Sequence, residues 1–320
     1  MELFALARNP IPVGGRVGSF KSFDGAPMRY AWWDPTQGPS RGTVSVFTGR
    51  SEFIEKYFEV IADLRRRGFT VAIMDWRGQG GSYRPLSNPR KGWVRSFADY
   101  DKDLACFMQQ VVLPNCPGPH LALAHSMGAH ILLRNAGQPN CWFERMMLSA
   151  PMLRFHDSKV GIPQSLARVY GALGVMCGMS RSYVKGGTDD GEEPRAYEGN
   201  ALTSDRDRFA RNRALIEAVP NLRLGSATIG WLHAAYRSMA MLNDPDYAAR
   251  INVPLLIFIA GEDTVVDSRA TEAFAARVKL GTSILLPHAR HEILQEVDDV
   301  RGRVWAAIDA YTGLTSEARG

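Results

Sequence analysis

The chain has 320 residues, of which 45% are hydrophobic and 22% are charged, and its net charge at pH 7 is +5. This composition fits a globular protein with a large core. The isoelectric point of about 9.1 is only mildly basic. Apart from residues 65–67 the chain has no long basic run and no nucleic-acid-binding motif, so a nucleic-acid partner is not expected.

The N-terminus lacks the basic start and long apolar stretch of a signal peptide, and no window of about 20 residues is apolar enough to span a bilayer. We therefore expect a cytoplasmic protein. Its positive charge suggests a further hypothesis, peripheral contact at the anionic inner face of the membrane.

The four cysteines do not have the spacing of a metal site or of a redox motif; they are Cys106, Cys116, Cys141 and Cys177. They are predicted to be free thiols, and no metal or other cofactor is expected.

The N-terminal third predicts alternating strands and helices. Segments 17–23 and 28–33 alternate in polarity around Asp24-Gly25, which is a hairpin turn signal. Two short apolar runs, 43–47 and 69–74, predict buried strands. Between them lie apolar residues at helical spacing before Gly68, namely Ile54, Phe58, Ile61 and Leu64. Ser96 resembles a helix N-cap, followed by an apolar helix face at Tyr100, Leu104, Met108 and Val111.

The alternation continues, stops after Pro151 and resumes at Pro254. The later predicted elements are strand 121–124, helix 129–136, strand 145–149, strand 254–260, helix 271–278, strand 283–286 and a terminal helix at 300–311. This order predicts an α/β fold with a mostly parallel central sheet flanked by helices. The core would comprise residues 1–151 and 251–320, and residues 152–250 would form a helical cap insertion.

An apolar stripe near helical spacing lies in this insertion, at Ile162, Leu166, Val169, Tyr170, Leu173, Met176 and Cys177. Two interpretations are open. The stripe could be a helix packed on the core. Alternatively, it could belong to a cap over the active site, where its apolar face lines an acyl pocket or touches lipid. On the second interpretation, Leu166, Tyr170 and the later Trp231 are candidate substrate contacts.

The most informative segment is 124–128, Ala-His-Ser-Met-Gly, because an apolar strand precedes it and a helix-like stretch follows it. A strand that turns sharply into a helix with a serine at the apex is the nucleophile elbow of the α/β-hydrolase fold. The tight turn allows no bulk two residues before and after the serine, and these positions hold Ala124 and Gly128. The alternative role for Ser126 is a helix N-cap.

A serine nucleophile needs a histidine base, and the histidine needs an orienting acid, in the chain order serine, acid, histidine. Candidate acids follow the strand that ends at Ala260. Asp263 is favoured over Glu262, and over Asp267, which fits better as the cap of the next helix. Among the histidines, His291 is favoured over His288, which directly follows Pro287. His125, beside the serine, is expected to be structural or substrate-facing.

The oxyanion hole needs two backbone N–H groups. The Met127 amide, directly after the serine, and the Arg50 amide, in the loop after strand 43–47, are the candidates. Gly49 would let this loop approach the substrate, or it could be a plain turn glycine. Residues 75–82 are glycine-rich but lack the Lys-Ser/Thr ending of a phosphate-binding loop, so we expect a structural turn beside the site.

Together these stretches resemble the α/β-hydrolase family of monoacylglycerol lipases and bacterial lysophospholipases. The matching segments are 47–52, 75–82, 124–128, 261–267, 289–294 and, in the insertion, 200–204 and 222–225. The resemblance is closest to the bacterial lysophospholipase branch. It implies Ser126 as nucleophile, Asp263 as acid and His291 as base, with oxyanion donors at Arg50 and Met127. Ala124 departs from the family's usual glycine, and Thr48 departs from the His-Gly start of the monoacylglycerol lipases.

The expected function is therefore a serine hydrolase that cleaves the carboxylic ester of a lysophospholipid or monoacylglycerol through an acyl-enzyme. One alternative is a hydrolase of another small ester or amide, including peptidase-like relatives. Another is a non-catalytic lipid-binding protein on the same fold. A small lipid ester is the expected partner. Acyl length, head group and oligomeric state are left open.

Overall fold

The computed structural model of the protein describes residues 1–191 and 196–314. One eight-stranded sheet runs through it in the order β1-β2-β4-β3-β5-β6-β7-β8. The strands are β1 (Arg16–Lys21), β2 (Pro27–Trp33), β3 (Thr43–Phe47), β4 (Thr70–Met74), β5 (His120–His125), β6 (Arg145–Ser149), β7 (Leu255–Ala260) and β8 (Gly281–Leu286). β2 is antiparallel to both β1 and β4, and every other pairing is parallel. The predicted α/β fold with a mostly parallel sheet is confirmed.

Strands β3, β4 and β7 are buried at every residue, which explains why they read as short unbroken apolar runs. The first hairpin differs because it lies at the edge of the sheet, where β1 alternates between exposed and less exposed side chains. Its turn contains Gly25 with φ of 79°, a left-handed conformation that glycine adopts without a Cβ penalty.

Helices flank the sheet or lie in the segment between β6 and β7. They are α1 (Phe58–Arg66), α2 (Phe97–Phe107), α3 (Leu113–Asn115), α4 (Met127–Ala136), α5 (Asp157–Val160), α6 (Gln164–Met176), α7 (Arg206–Ala218), α8 (Ile229–Leu242), α9 (Ser268–Ala275) and α10 (Asp298–Tyr311). A π turn at Met108–Val112 joins α2 to α3, and 3-10 turns occupy Ile54–Tyr57, Pro220–Leu222, Ala248–Arg250 and Ile293–Gln295.

Capping side chains set several helix starts, two of which bear on the predicted elements. Ser96 Oγ accepts the Ala98 N–H at 3.2 Å at the start of α2, as expected. The helix predicted at 271–278 begins earlier, at Ser268, because the Asp267 carboxylate accepts the N–H groups of Arg269 and Ala270. Asp267 therefore has the capping role expected for it.

Helices α5 to α8 lie between β6 and β7, in the segment predicted to be the insertion. Helix α6 packs against α8 through its small residues, since Ala167, Gly171 and Gly174 are buried. A Cβ on Gly174 would lie 2.7 Å from Ile229 Cγ2, so glycine is what allows the close approach. The large apolar side chains of α6 consequently point outward, and the interpretation that the stripe packs on the core is wrong.

The carboxyl ends of β3, β5, β7 and β8 meet at one edge of the sheet, where the candidate residues follow them. This is the edge at which open α/β sheets usually bind ligands. The insertion bounds 152–250 stay a prediction, and they include residues 192–195, which lie outside the described part. Among the helices that the structure describes, none has both the length and the apolar character needed to cross a membrane.

Candidate active site

Ser126 sits at the turn between β5 and α4 with φ of 50°, a positive value that is rare for a residue other than glycine. The backbone fixes this turn, because Ser126 N–H donates to Ser149 O at 2.9 Å and Ser126 O accepts from the His130 and Met152 N–H groups. A Cβ at Gly128 would lie 2.5 Å from Phe47 O, so only glycine fits there. Ala124, in the other restricted position, is buried in β5 and pairs with Phe47 and Leu148.

The hydroxyl of Ser126 bonds the histidine and makes no capping bond to α4, so the N-cap alternative is wrong. Ser126 Oγ lies 2.9 Å from His291 Nε2. His291 Nδ1 lies 2.7 Å from Asp263 Oδ2. Asp263 Oδ1 accepts the N–H groups of Val265 and Val266 at 2.7 and 2.9 Å. With Nδ1 donating to the carboxylate, Nε2 is the nitrogen that can accept the serine proton.

The surroundings of Asp263 and His291 shift their pKa values in opposite directions. Burial alone would raise the pKa of Asp263, but the His291 charge and hydrogen bond, together with the two backbone N–H groups, hold it below its ordinary value. Burial would lower the pKa of His291, and the Asp263 carboxylate outweighs this effect and raises it. Asp263 is therefore an ionised, buried acceptor that stabilises a protonated His291.

The alternative acids, Asp267 and Glu262, and the alternative base, His288, make other contacts. Asp267 caps α9 and pairs with Arg154 at 2.7 Å. Glu262 and His288 are exposed and lie 3.4 Å from each other.

His125 is buried, with Nδ1 3.2 Å from Ser149 O, and its ring centroid is 4.7 Å from that of His291. Burial lowers the pKa of His125 to about 4, so it is neutral near pH 7. His125 therefore packs against His291, and its Nδ1 is directed at Ser149 O and not at the Ser126 hydroxyl.

The loop after β3 reaches the elbow at Gly49. A Cβ on this residue would lie 3.2 Å from Ser126 Cβ and 2.9 Å from Glu52 Oε2, so Gly49 is more than a plain turn glycine. Gly49 O accepts from Gln79 Nε2 at 2.7 Å. The C=O and N–H of a trans peptide point in opposite directions, so the Arg50 N–H points away from Gln79. Gln79 thus orients the amide that was predicted as an oxyanion donor.

The turn at residues 75–82 supports this loop, as expected. Gln79 also donates to Glu52 O at 3.0 Å, and its Oε1 accepts the Ser51 N–H at 3.3 Å. Asp75 Oδ1 accepts the Ile54 N–H at 3.0 Å.

The Arg50 side chain extends from the loop to the insertion, where it donates to Gly225 O at 2.9 Å and lies 4.9 Å from the ring centroid of Trp231.

The hydrogen-bonded triad is Ser126, His291 and Asp263, and the oxyanion loop is residues 48–51 after β3. Three of the five candidate substrate contacts lie beside one or the other: Gly49, His125 and Trp231. The expectation for Leu166 is wrong, because its side chain is on the outward face of α6 and is 56% exposed. Tyr170 is half-buried on the same helix, and its hydroxyl accepts the Lys185 N–H at 3.1 Å instead of lying at the triad. Both placements follow from the packing of α6, because its small residues face α8 and its larger side chains therefore face away from it.

A buried charged cluster lies beside the triad, and residue spacing in the sequence did not predict it. It consists of Glu52, Lys56 and Glu292, with Lys56 Nζ 3.0 Å from Glu52 Oε1 and 2.5 Å from Glu292 Oε1. Only the position of Glu52 two residues after Arg50, and of Glu292 directly after His291, could have drawn attention to it. Among residues 1–191 and 196–314, no three His, Cys, Asp or Glu side chains come together as metal ligands.

A cavity of about 180 Å³ lies between the core and the insertion, next to this cluster. Its lining includes Lys56 and Glu292. Apolar side chains also line it, namely Phe53, Leu202, Phe209, Ile216 and Pro220, as do three arginines, Arg90, Arg213 and Arg223.

Comparison with known proteins identifies the family. The family model Hydrolase_4, described as serine aminopeptidase, S33, matches residues 38–298. Lysophospholipase L2 of Escherichia coli K12 is 32% identical over 303 residues, which cover 90% of this chain and 85% of that protein. A probable lysophospholipase L2 of Haemophilus influenzae is 27% identical over 277 residues, with 86% and 85% covered.

Among solved structures, a soluble variant of monoglyceride lipase from Saccharomyces cerevisiae, in complex with a substrate analog, superposes with a TM-score of 0.74 at 22% identity. The match covers 94% of this chain and 97% of that one, and it bears on the fold alone. The match over residues 38–298 and the extent of the similarity to lysophospholipase L2 lead to one conclusion: the chain belongs to the Hydrolase_4 (serine aminopeptidase, S33) family of α/β-hydrolases.

Proposed function

We propose that this protein is a carboxylic ester hydrolase that cleaves the acyl ester of a lysophospholipid or monoacylglycerol through an acyl-enzyme on Ser126. The observation that carries the proposal is the unbroken chain of hydrogen bonds from Ser126 through His291 to Asp263. The relatives named as lysophospholipases support a lipid ester as substrate.

In the proposed mechanism, Ser126 Oγ attacks the ester carbonyl while His291 Nε2 takes the hydroxyl proton. The Arg50 and Met127 amides stabilise the negative charge that develops on the carbonyl oxygen. His291 then gives its proton to the departing alcohol oxygen, and the acyl group stays on Ser126. A water molecule, deprotonated by His291, releases the fatty acid and restores the serine.

His291 must be neutral to act as a base. Because the Asp263 carboxylate raises the pKa of His291 above its ordinary value of about 6.5, protonation begins at a higher pH than for a free histidine. On this mechanism kcat/KM falls as the pH decreases through that raised pKa.

The cavity lined by Lys56 and by Glu292, the residue after His291, supports an amphipathic substrate. Its apolar wall can bury hydrocarbon, and Arg90 and Arg223 can pair with an anionic phosphodiester, which monoacylglycerols lack. We propose that this cavity receives the head-group end of the substrate, with the phosphodiester on the arginines and the adjoining hydrocarbon on the apolar wall, which favours a lysophospholipid.

The first expected result is selectivity for acyl length and head group. Each additional buried methylene contributes about 0.8 kcal/mol, so kcat/KM should rise about fourfold per methylene until the acyl site is full. A lysophospholipid should be cleaved faster than a monoacylglycerol of the same chain, and Arg223→Gln should narrow that difference. The measurement is kcat/KM across esters from short to long, with and without a phosphodiester head group.

A flat dependence on chain length would remove the lipid substrate and leave a general esterase. Faster cleavage of peptide-like amides than of esters would favour the amide alternative, which the description of the family as serine aminopeptidases makes worth testing.

The outward face of α6 supports a peripheral contact with a lipid surface. Leu166, Val169 and Leu173 are more than half exposed, and Met176 is 81% exposed. A contiguous exposed apolar face of this kind typically marks a protein or membrane contact. Arg168, on the same helix, is exposed as well. We propose that this face docks on an anionic membrane with its apolar side chains inserted and Arg168 near the lipid phosphates.

Vesicle binding tests this contact. We expect the protein to co-sediment with anionic vesicles at low salt and to bind less as salt rises, since exposed charges are screened beyond about 8 Å at physiological ionic strength. Replacing Val169 and Leu173 by Asp should abolish binding, whereas Leu113→Asp, at an exposed leucine outside the insertion, should not. Equal binding by the two variants, or none by the wild type at low salt, would remove the docking proposal without affecting the esterase proposal.

A further inference from the structure

Lys56 is buried in the 3-10 turn Ile54–Tyr57, directly before α1, and lies between two carboxylates. Its ammonium is 3.0 Å from Glu52 Oε1 and 2.5 Å from Glu292 Oε1, and all three side chains are at most 7% exposed. None of the three belongs to the triad. A buried ion pair is weak evidence for stability by itself, so what each carboxylate holds in place decides its role.

Glu52 holds the oxyanion loop. Its Oε2 accepts the Gly49 N–H and, at 2.7 Å, the Tyr57 hydroxyl. Gly49 precedes Arg50, so the carboxylate and Gln79 together fix both peptide groups that flank Gly49. Any displacement of Glu52 would therefore move the Arg50 amide.

Glu292 directly follows His291 in the chain and holds the histidine loop. Its N–H donates to Leu202 O at 2.8 Å, and its carboxylate is bound by Lys56, which is 236 positions away in the sequence. One cation thus joins the loop that carries an oxyanion donor to the loop that carries the base.

We propose that Lys56 is a positioning residue for acyl transfer, a role that rests on the function proposed above. Its ammonium binds Glu52 and Glu292 together and so fixes the oxyanion loop relative to His291. A shift of about 1 Å between such groups can reduce turnover about 100-fold without removing any group that touches the substrate.

The cluster also acts on His291 through its charge. Within the described residues, the charged and titratable groups that act on the imidazole are Asp263, His125, Glu52 and Glu292, and Lys56 pairs with both glutamates. Although burial lowers the pKa of His291, the carboxylates of Asp263, Glu292 and Glu52 raise it. Loss of the Glu292 charge should therefore lower the pKa of His291, which a purely structural role for the cluster would not do.

The test uses hydrolysis of p-nitrophenyl acetate, which needs neither a lipid head nor a long acyl pocket. Lys56→Met should lower kcat by about 10- to 100-fold and change KM by less than about threefold. Glu292→Gln, which leaves the Lys56–Glu52 pair in place, should move the acid limb of the kcat/KM profile to lower pH. The double variant K56M/E292Q should lose less than the product of the two single losses, because the two residues act on one another.

Arg67→Met is the matched control. Arg67 pairs with Asp309 at 2.6 Å, with both side chains at most 15% exposed, and links the end of α1 to α10. It should lower the thermal midpoint without changing kcat. If Lys56→Met does not fold, kcat of Glu292→Gln still tests the link, because that variant removes the carboxylate through which Lys56 binds the histidine loop.

Unchanged kcat in folded Lys56→Met, or an acid limb in Glu292→Gln that does not move, would overturn the role of Lys56 and leave the esterase proposal standing. A wild-type protein that cleaves no acyl ester would overturn the proposed function instead, and the positioning role with it.

Discussion

Ser126→Ala should abolish ester hydrolysis and leave the fold intact. Losing the nucleophile of a serine triad costs about 10⁴- to 10⁶-fold in turnover, because the covalent step has no substitute. The hydroxyl makes its bond to His291, whereas the turn itself is held by backbone bonds to Ser149, His130 and Met152 that alanine keeps. Turnover of a soluble acyl ester by folded variant protein is the measurement.

Ser45→Ala is the matched control for this variant. Ser45 is a fully buried serine in β3, the strand that pairs with β5, and its hydroxyl has no hydrogen-bond partner within the described part of the chain. Its activity should match that of the wild type. Near-wild-type turnover in Ser126→Ala would mean that another group is the nucleophile.

Asp263→Asn should reduce turnover by about 10⁴-fold with little change in KM. The amide can present its N–H₂ group to His291 Nδ1, which favours the tautomer with the proton on Nε2, where it can no longer accept the serine proton. The variant also loses the negative charge that stabilises the imidazolium. Full kinetics on a short-chain ester, with thermal unfolding as a check on the fold, give the result.

Asp267→Asn separates the two candidate acids. Asparagine caps a helix about as well as aspartate, so α9 should survive, and the loss should be limited to the ion pair with Arg154. Turnover should stay within a few-fold of the wild type. The opposite ranking of the two variants would show that Asp263 is the wrong acid.

Much of the fold could be read from local sequence pattern. The strands β3, β4 and β7 are short apolar runs because both faces of a parallel sheet are covered, and that condition leaves a direct trace in the residues. The elbow is equally local. Gly128 is required because a Cβ would meet Phe47 O, and the apolar strand before it and the helix after it are visible in the sequence.

The orientation of α6 could not be read in the same way. Periodicity reports which face of a helix is apolar, but a helix can also pack through glycine and alanine when its neighbour comes close. Glycine weakens an isolated helix, yet Gly171 and Gly174 form the contact with α8. The leucines therefore point outward, and Leu166 could not be placed correctly without the packing partner.

The cluster around Lys56 is non-local in a different sense. Its members come from the loop after β3, from the turn before α1 and from the loop after β8, and only the folded sheet edge brings them together. Each residue taken singly is an ordinary surface type. Burial is what turns these charges into a structural link, and burial of a charged residue leaves no trace in its immediate neighbours.

Peptide mapping after reaction with a fluorophosphonate identifies the nucleophile, because the reagent reports which serine is activated. We expect one stoichiometric adduct on the peptide that contains Ser126. It should form at the wild-type rate in Ser45→Ala, much more slowly in Asp263→Asn, and not at all in Ser126→Ala. An adduct on a different residue, or full ester hydrolysis by protein that carries no adduct at Ser126 and resists the reagent, would show that Ser126 is not the nucleophile.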